Sequence, residues 1–209
     1  MVLDLSYVPA DPMSVLGVLL AAGAGSRMGT PKALLRDRAG RPVLAKALGV
    51  LLEGGCESSL VVVGAAAAEV QGLLDETGWT GDPDLAVVVA GDWADGMGAS
   101  LQAGLAAARD GTASCALVSL VDLPDIGADV VRRVLAQVPC DEATVARATY
   151  DGRPGHPVLL GRDHWSGILR TLSGDHGARD YLAAHPPVLV ECGDLATGRD
   201  TDTPEDLDG

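Results

Sequence analysis

The chain has 209 residues, of which 47% are hydrophobic and 3% aromatic, and it contains no phenylalanine. This length suits a single α/β domain with one large core, which Ala, Val and Leu must fill. The formal net charge of −14 repels nucleic acids and anionic membrane surfaces, so the sequence favours a small-molecule substrate.

Four short apolar runs rich in Val and Leu alternate with helix-like segments in the first part of the chain. Such runs are typical of buried parallel strands, and a glycine follows each helical segment. The order predicts a three-layer α/β/α sandwich with a Rossmann-like, mostly parallel sheet. The predicted strands cover residues 15–22, 60–63, 85–90 and 115–121, and the predicted helices 42–53, 66–76 and 97–109 end at Gly54, Gly78 and Gly111.

The second part of the chain has a less regular pattern. It begins with a predicted helix, a strand and a Gly/Pro turn, and it ends with a short strand. In chain order we expect a helix over 128–137, strands over 143–150 and 158–160 separated by a turn over 152–157, helices over 164–172 and 178–184, and a strand over 188–191.

The cysteines show neither CxxC nor Cys/His ligand spacing, so they predict apolar core residues in a reducing cytosol rather than a zinc site or disulfides. The first 12 residues lack the basic start of a signal peptide, and the apolar run over 16–22 is too short to span a bilayer. We therefore expect a cytoplasmic protein. The cysteines are Cys56, Cys115, Cys140 and Cys192.

A glycine-rich loop, residues 23–31, follows the first predicted strand. Loops at the carboxyl ends of parallel strands are frequent phosphate sites, and glycines with positive φ let successive backbone N–H groups turn toward one anion. Arg27 and Lys32 add full positive charge, and Lys32 is one of only two lysines in the chain. The loop therefore predicts a nucleoside triphosphate site. Its glycines are Gly23, Gly25 and Gly29.

Two other phosphate loops do not fit these residues. A Walker A loop needs Gly-Lys followed by Ser or Thr, whereas Lys32 follows Pro31 and precedes Ala33. A dinucleotide fingerprint needs a third glycine where Met28 stands, and an acidic residue after the second strand, where Gly64 stands. A merely tight turn remains the structural alternative.

The loop resembles the opening signature of the MobA-like nucleotidyltransferases, LAAGxGxRMGxPK, and later segments are similar to the molybdenum cofactor cytidylyltransferase branch. These segments are GMGASLQAGL from Gly96, GRPGHPVLL from Gly152, GDHGAR from Gly174 and DTDTPEDL from Asp200. The signature is matched by Leu20, Ala21, Ala22, Gly23, Gly25, Arg27, Met28, Gly29, Pro31 and Lys32.

This resemblance implies an enzyme that binds a nucleoside triphosphate with Mg²⁺. A phosphate on the acceptor attacks the α-phosphorus and pyrophosphate leaves. The implied acceptor is molybdopterin, and a molybdoenzyme could receive the dinucleotide product. We expect an N-terminal tail over residues 1–13 and one domain over 14–209, with an NTP-binding half over 14–125 and an acceptor-binding half over 126–209.

Transfer between phosphates brings negative charges together, so catalysis should rest on positioning and neutralisation. Asp122 directly follows a predicted strand and is the best candidate Mg²⁺ ligand, although it could instead serve as a turn or capping aspartate, as Asp125 could. The resemblance points to Asp202 as a second ligand. Asp200 could exchange roles with it, or both could cap the turn that follows. The expected catalytic residues are Arg27, Lys32 and Asp122.

The resemblance also suggests residues for both substrates. Ser100 could bind the base or ribose or could satisfy a helix N–H, and His156 could bind phosphate or pterin or be structural. Arg179 could grip a phosphate or lie on a solvated helix face. Expected nucleotide contacts are Leu20, Ala21, Ala22, Gly23, Ala24, Gly25, Lys32, Gly98 and Ser100, and expected acceptor contacts are His156, Asp175 and Arg179.

The base is set by few contacts, because the loop binds phosphates that every NTP shares. Ala21-Ala22-Gly23 is more similar to cytidylyl than to guanylyl members, so CTP is favoured over GTP. Two other functions remain open: an NAD(P)H-dependent reductase of the nicotine blue type and a non-catalytic chaperone that carries the cofactor. The missing fingerprint glycine argues against the first, and retention of Lys32 and Asp122 argues against the second.

Overall fold

A computed structural model describes residues 14–26, 28–172, 174 and 177–200. These residues form seven strands and six α-helices, which alternate as far as the fifth strand and follow an order close to the predicted one. The strands are β1 (Val15–Ala21), β2 (Ser58–Val63), β3 (Leu85–Val89), β4 (Cys115–Leu120), β5 (Val145–Tyr150), β6 (Arg153–Gly161) and β7 (Val188–Glu191). The helices are α1 (Val43–Glu53), α2 (Ala67–Glu76), α3 (Met97–Ala108), α4 (Ala128–Gln137), α5 (Arg162–Thr171) and α6 (Arg179–Ala184).

All seven strands form one sheet in the order β3-β2-β1-β4-β6-β5-β7. Strands β1 to β4 are parallel, and β7 is parallel to β5. Strand β6 runs antiparallel to both of its neighbours, β4 and β5. The predicted mostly parallel sheet is therefore confirmed, and the first four strands bring their carboxyl ends to one edge.

Helices cover both faces of the sheet, which confirms the three-layer sandwich. Side chains alternate between faces along each strand. Leu19 and Val61 pack beneath α1, α2 and α4, whereas Val18 and Val62 pack beneath α3, α5 and α6. These two sides are called here the α1/α2/α4 face and the α3/α5/α6 face. Both cores consist largely of Ala, Val and Leu, as the composition predicts.

The turn predicted over residues 152–157 is wrong in its extent. Asp151 and Gly152 alone connect β5 to β6, both with positive φ (52° and 75°), which is the two-residue hairpin loop favoured by Asp-Gly. Strand β6 already starts at Arg153 and includes two prolines. It tolerates them because its pairing with β4 begins only at Val158, beyond both prolines.

The cysteines are all free thiols, and burial raises the pKa of Cys56 and Cys115. Cys56, Cys115 and Cys192 are buried and Cys140 is half-buried, which agrees with their predicted role as core residues. None of the helices in the described part of the chain has the length and apolar character needed to cross a lipid bilayer.

Candidate active site

A cavity of about 390 Å³ opens at the carboxyl ends of β1 and β4. The glycine-rich loop, the turn after β4 and the first turn of α3 form its walls, and its volume suits a small-molecule ligand such as a nucleotide. Gly98 is buried within α3 and does not line it, whereas Gly96 and Met97 do. The predicted nucleotide contacts that line the cavity are Leu20, Ala21, Ala22, Gly23, Ala24, Gly25, Lys32 and Ser100.

An ion pair joins two strand ends inside this cavity. Lys32 Nζ donates a 2.8 Å hydrogen bond to Asp122 Oδ2, although 90 residues separate them. Their side chains are 19% and 21% exposed, so both groups are largely enclosed but reachable from the cavity. A short 3₁₀ helix at Lys32–Leu34 directs the lysine inward. The structure thus brings together a cation and a carboxylate that the sequence predicted for one site.

The glycines of the loop have different structural roles. Gly25 has φ +60°, and a Cβ there would lie 1.9 Å from the carbonyl oxygen of Thr30. Its own carbonyl accepts a 2.9 Å bond from Met28 N, which closes the turn. The expected positive φ is confirmed for Gly25 and Gly29 but not for Gly23. A Cβ at Gly23 would meet no protein atom within 4 Å, so this glycine leaves space in the cavity rather than relieving strain.

The turn that carries Asp122 is held from two sides. Lys46 in α1 donates a 2.7 Å hydrogen bond to the carbonyl oxygen of Pro124. Asp125 Oδ2 accepts bonds of 2.6 Å from both the backbone N–H and the hydroxyl of Thr197. Asp125 therefore does not cap a helix but ties the turn to the segment leading toward Asp200. Sequence reasoning missed Lys46, and the rarity of lysine in the chain was the signal.

The donor set of this cavity suits a divalent cation in part. Mg²⁺ is usually bound by one or two carboxylates together with substrate phosphates, and Asp122 supplies one such carboxylate. Within the described residues no three His, Cys, Asp or Glu side chains cluster as a metal site. The predicted second ligand, Asp202, and the predicted catalytic Arg27 lie outside the described residues.

Two of the three predicted acceptor residues, His156 and Arg179, lie within the described part of the chain. His156 is in β6 rather than in a turn, because the hairpin loop ends at Gly152. Enclosure by the protein and the neighbouring charge of Arg147 lower the pKa of His156 to about 4, so its imidazole is neutral at pH 7. Arg179 is exposed at the start of α6, and Asp175 lies outside the described residues.

A larger cavity of about 530 Å³ lies at the opposite edge of the sheet, between Leu16, Leu74 and Ala108. Its described lining is mostly apolar, contains no lysine or arginine and includes the acidic residues Asp82 and Asp84. Such a surface does not favour a triphosphate. The smaller cavity, with its cation, carboxylate and glycine-rich backbone, is the better candidate active site.

A comparison with known protein families identifies the family to which this chain belongs. The model of the MobA-like NTP transferase domain matches residues 17–188, which include both strand-end segments of the cavity. The chain belongs to the MobA-like NTP transferase family. It is accordingly a nucleotidyltransferase of the MobA-like type, as the signature in the glycine-rich loop predicts.

Named relatives in this family differ in their activity. The chain is 39% identical over 205 residues to a nicotine blue oxidoreductase from Paenarthrobacter nicotinovorans, covering 94% of this chain and 96% of the relative. It is 30% identical over 161 residues to a molybdenum cofactor guanylyltransferase from Rhodobacter capsulatus, covering 75% and 68%.

Among solved structures, the Mycobacterium tuberculosis protein Rv0371c has the same fold. It superposes with a TM-score of 0.72 at 28% identity, covering 95% of this chain and 100% of that one. A second structure of that protein is a complex with manganese and gives a TM-score of 0.68 at 27% identity, covering 93% and 97%. The structural comparison therefore supports the fold over nearly the whole chain.

Proposed function

We propose that this protein transfers CMP from CTP to the phosphate of a molybdopterin-type acceptor, with Mg²⁺, and releases pyrophosphate. The Lys32–Asp122 pair within the glycine-rich cavity carries the proposal, because triphosphate binding needs the cation and metal binding needs the carboxylate. The guanylyltransferase relative supports an acceptor of the molybdenum cofactor type.

The residues of the cavity divide the work between them. Backbone N–H groups of the glycine-rich loop and the Lys32 ammonium bind phosphate oxygens and neutralise their charge. Asp122, with the triphosphate, would hold Mg²⁺, which when bound withdraws charge from the reacting phosphates. An acceptor phosphate oxygen forms a bond to the α-phosphorus, and the α-phosphorus–oxygen bond to the β-phosphate breaks in line.

The choice of CTP rests on the segment that enters the loop. Ala21 and Ala22 are buried at the end of β1, and Gly23 is exposed in the cavity. The Ala-Ala-Gly order is similar to cytidylyl members, whereas the R. capsulatus relative is named a guanylyltransferase. GTP is therefore the alternative nucleotide, and comparing the rates of pyrophosphate release with CTP and with GTP distinguishes the two.

A second candidate is an NAD(P)H-dependent oxidoreductase, which the full-length similarity to the P. nicotinovorans protein favours. The cavity is less suited to that role. It contains a carboxylate paired to a lysine, and the loop lacks the third glycine of a dinucleotide fingerprint, with Met28 in its place.

The test combines purified protein, molybdopterin and Mg²⁺ with CTP, GTP, ATP or UTP in parallel, and follows pyrophosphate and the product mass. We expect pyrophosphate release with CTP well above that with the other three, and a mass increase of one cytidylyl group, which is CMP less one water. Faster release with GTP would replace the cytidylyl assignment by guanylyl. If no NTP gives pyrophosphate, and the protein instead catalyses the oxidation of NADPH by a dye substrate, the second candidate function is established.

A further inference from the structure

Arg147 is a charged side chain in an otherwise apolar strand. It is half-buried in β5 between Ala146 and Ala148, which are both 0% exposed. Its Nε donates a 2.9 Å hydrogen bond to the carbonyl oxygen of Gly155. In the described part of the chain no carboxylate pairs with it. Enclosing a guanidinium is costly without an anion, so its position calls for one.

Strand register places Arg147 beside the acceptor residues. Val145 packs on the α3/α5/α6 face, so alternation along β5 directs Arg147 to that same face. The hydrogen bond from Arg147 to the carbonyl oxygen of Gly155 sets it beside His156, the next residue of β6. The pairing of β6 with β4 ends at Val118↔Val158, and beyond it β4 runs on to Leu120, which lines the nucleotide cavity. His156 therefore lies in the strand next to β4, and Arg147 lies one strand farther along the sheet.

Arg179 is the first residue of α6, which packs on the same α3/α5/α6 face. Enclosure by the protein and the charge of Arg179 lower the pKa of the Arg147 guanidinium. Just before α6, a Cβ on Gly177 would lie 3.8 Å from the sulfur of Met97, at the mouth of the nucleotide cavity. Arg147 and Arg179 are therefore two cations on one face of the sheet, and the segment that leads into α6 reaches the mouth of the nucleotide cavity.

We propose that Arg147 and Arg179, with His156, form an anion subsite that binds the phosphate of the acceptor. This inference rests on the proposed function and adds Arg147 to it. A phosphate monoester has a second pKa of about 6, so it is mostly a dianion at pH 7 and needs no base to become a nucleophile. The neutral imidazole of His156 can donate one hydrogen bond, while the arginines supply the charge.

The transfer step conserves atoms and charge. One acceptor phosphate oxygen bonds to the α-phosphorus of the NTP, the electron pair of the breaking P–O bond leaves with pyrophosphate, and nothing is oxidised or reduced. The arginine pair allows two anions to approach and fixes which acceptor oxygen faces the nucleotide.

The test compares Arg147→Gln with Arg147→Lys and with Arg132→Gln, an exposed arginine on α4 at the opposite face. Arg147→Gln should raise the KM for molybdopterin about 10- to 100-fold with the KM for the NTP unchanged, since hydrogen bonds to charged groups have this worth. Arg147→Lys should recover part of the loss, and Arg132→Gln should match wild type. Should Arg147→Gln not fold, Arg179→Gln at the exposed partner carries the same test.

Equal changes in both KM values, or none, would overturn the subsite. If the wild type transfers no nucleotidyl group from any NTP, the proposed function is wrong. Titration with inorganic phosphate then tests the anion subsite independently of that function. Phosphate binding that Arg147→Gln removes and Arg132→Gln retains supports an anion site. Absence of binding in the wild type, or equal binding by all variants, contradicts it.

Discussion

The two halves of the sheet build their parts of the site differently. In the first half, β1 to β4 are parallel, and the proposed functional groups Lys32 and Asp122 lie in the segments that follow β1 and β4. In the second half, β6 is antiparallel, and Arg147 and His156 stand within the strands themselves. Loops after strands can be recognised from the sequence alone. The neighbours of a polar residue inside a strand depend on strand order and register, which the sequence does not show directly.

The largest effect is expected from Asp122→Asn in the first half. Loss of the carboxylate removes the proposed metal ligand and the partner of Lys32, and should lower kcat about 100- to 1,000-fold. Thermal stability should change little because the amide keeps the shape. Asp84→Asn, at the opposite edge of the sheet, is the matched control and should leave kcat unchanged. Full activity of Asp122→Asn would show that the Asp122 carboxylate is not needed to hold the metal.

The fold and the placement of Lys32 and Asp122 in one cavity could be predicted, because both follow from local patterns. Apolar runs with glycine-ended helices identified β1 to β4, and glycine spacing identified the loop. The second half was harder. Pro154 and Pro157 suggested a turn, but both occupy β6 where β4 no longer pairs with it. Arg147 was missed because its meaning depends on β6 lying between β4 and β5, which no local pattern reveals.

Two glycines of the loop allow effects on stability to be separated from effects on nucleotide binding within the first half. Gly25→Ala forces a side chain into the left-handed region and against Thr30, and should lower the free energy of unfolding by about 1–3 kcal/mol. Gly23→Ala meets no protein atom, so it should leave unfolding unchanged and raise the KM for the NTP. Chemical denaturation and steady-state kinetics measure the pair. The reverse pattern would mean that Gly23 shapes the loop and Gly25 does not.

Substitution of Lys46 tests how firmly the turn that carries Asp122 must be held. Lys46→Met removes the 2.7 Å hydrogen bond to Pro124 and keeps much of the side-chain volume. The turn should loosen, and kcat should fall about tenfold, the equivalent of one charged hydrogen bond. Substrate KM values should change less, and Lys46→Arg should restore part of kcat. A stability loss without any kinetic change would assign Lys46 to the fold alone.

The smallest effect concerns the hairpin of the second half. Hydrogen bonds from Thr149 and from the backbone of Gly193, Gly152 and Asp151 lower the pKa of Glu191 from 4.5 to about 2. A lowered pKa adds stability that is complete above about pH 4.5 and is lost as the pH falls toward 2. Melting temperatures over this range should therefore fall less steeply for Glu191→Gln than for wild type. Parallel curves would show that Glu191 does not hold the hairpin.

Isotope labelling tests the central claim, that the two halves join a nucleotide to an acceptor phosphate. Wild type is incubated with Mg²⁺, molybdopterin and CTP labelled with ³²P at either the α- or the γ-position. We expect the α-label to enter the pterin product and the γ-label to appear only in pyrophosphate. Appearance of the γ-label in the pterin, release of orthophosphate, or no transfer of the α-label from any NTP would contradict it.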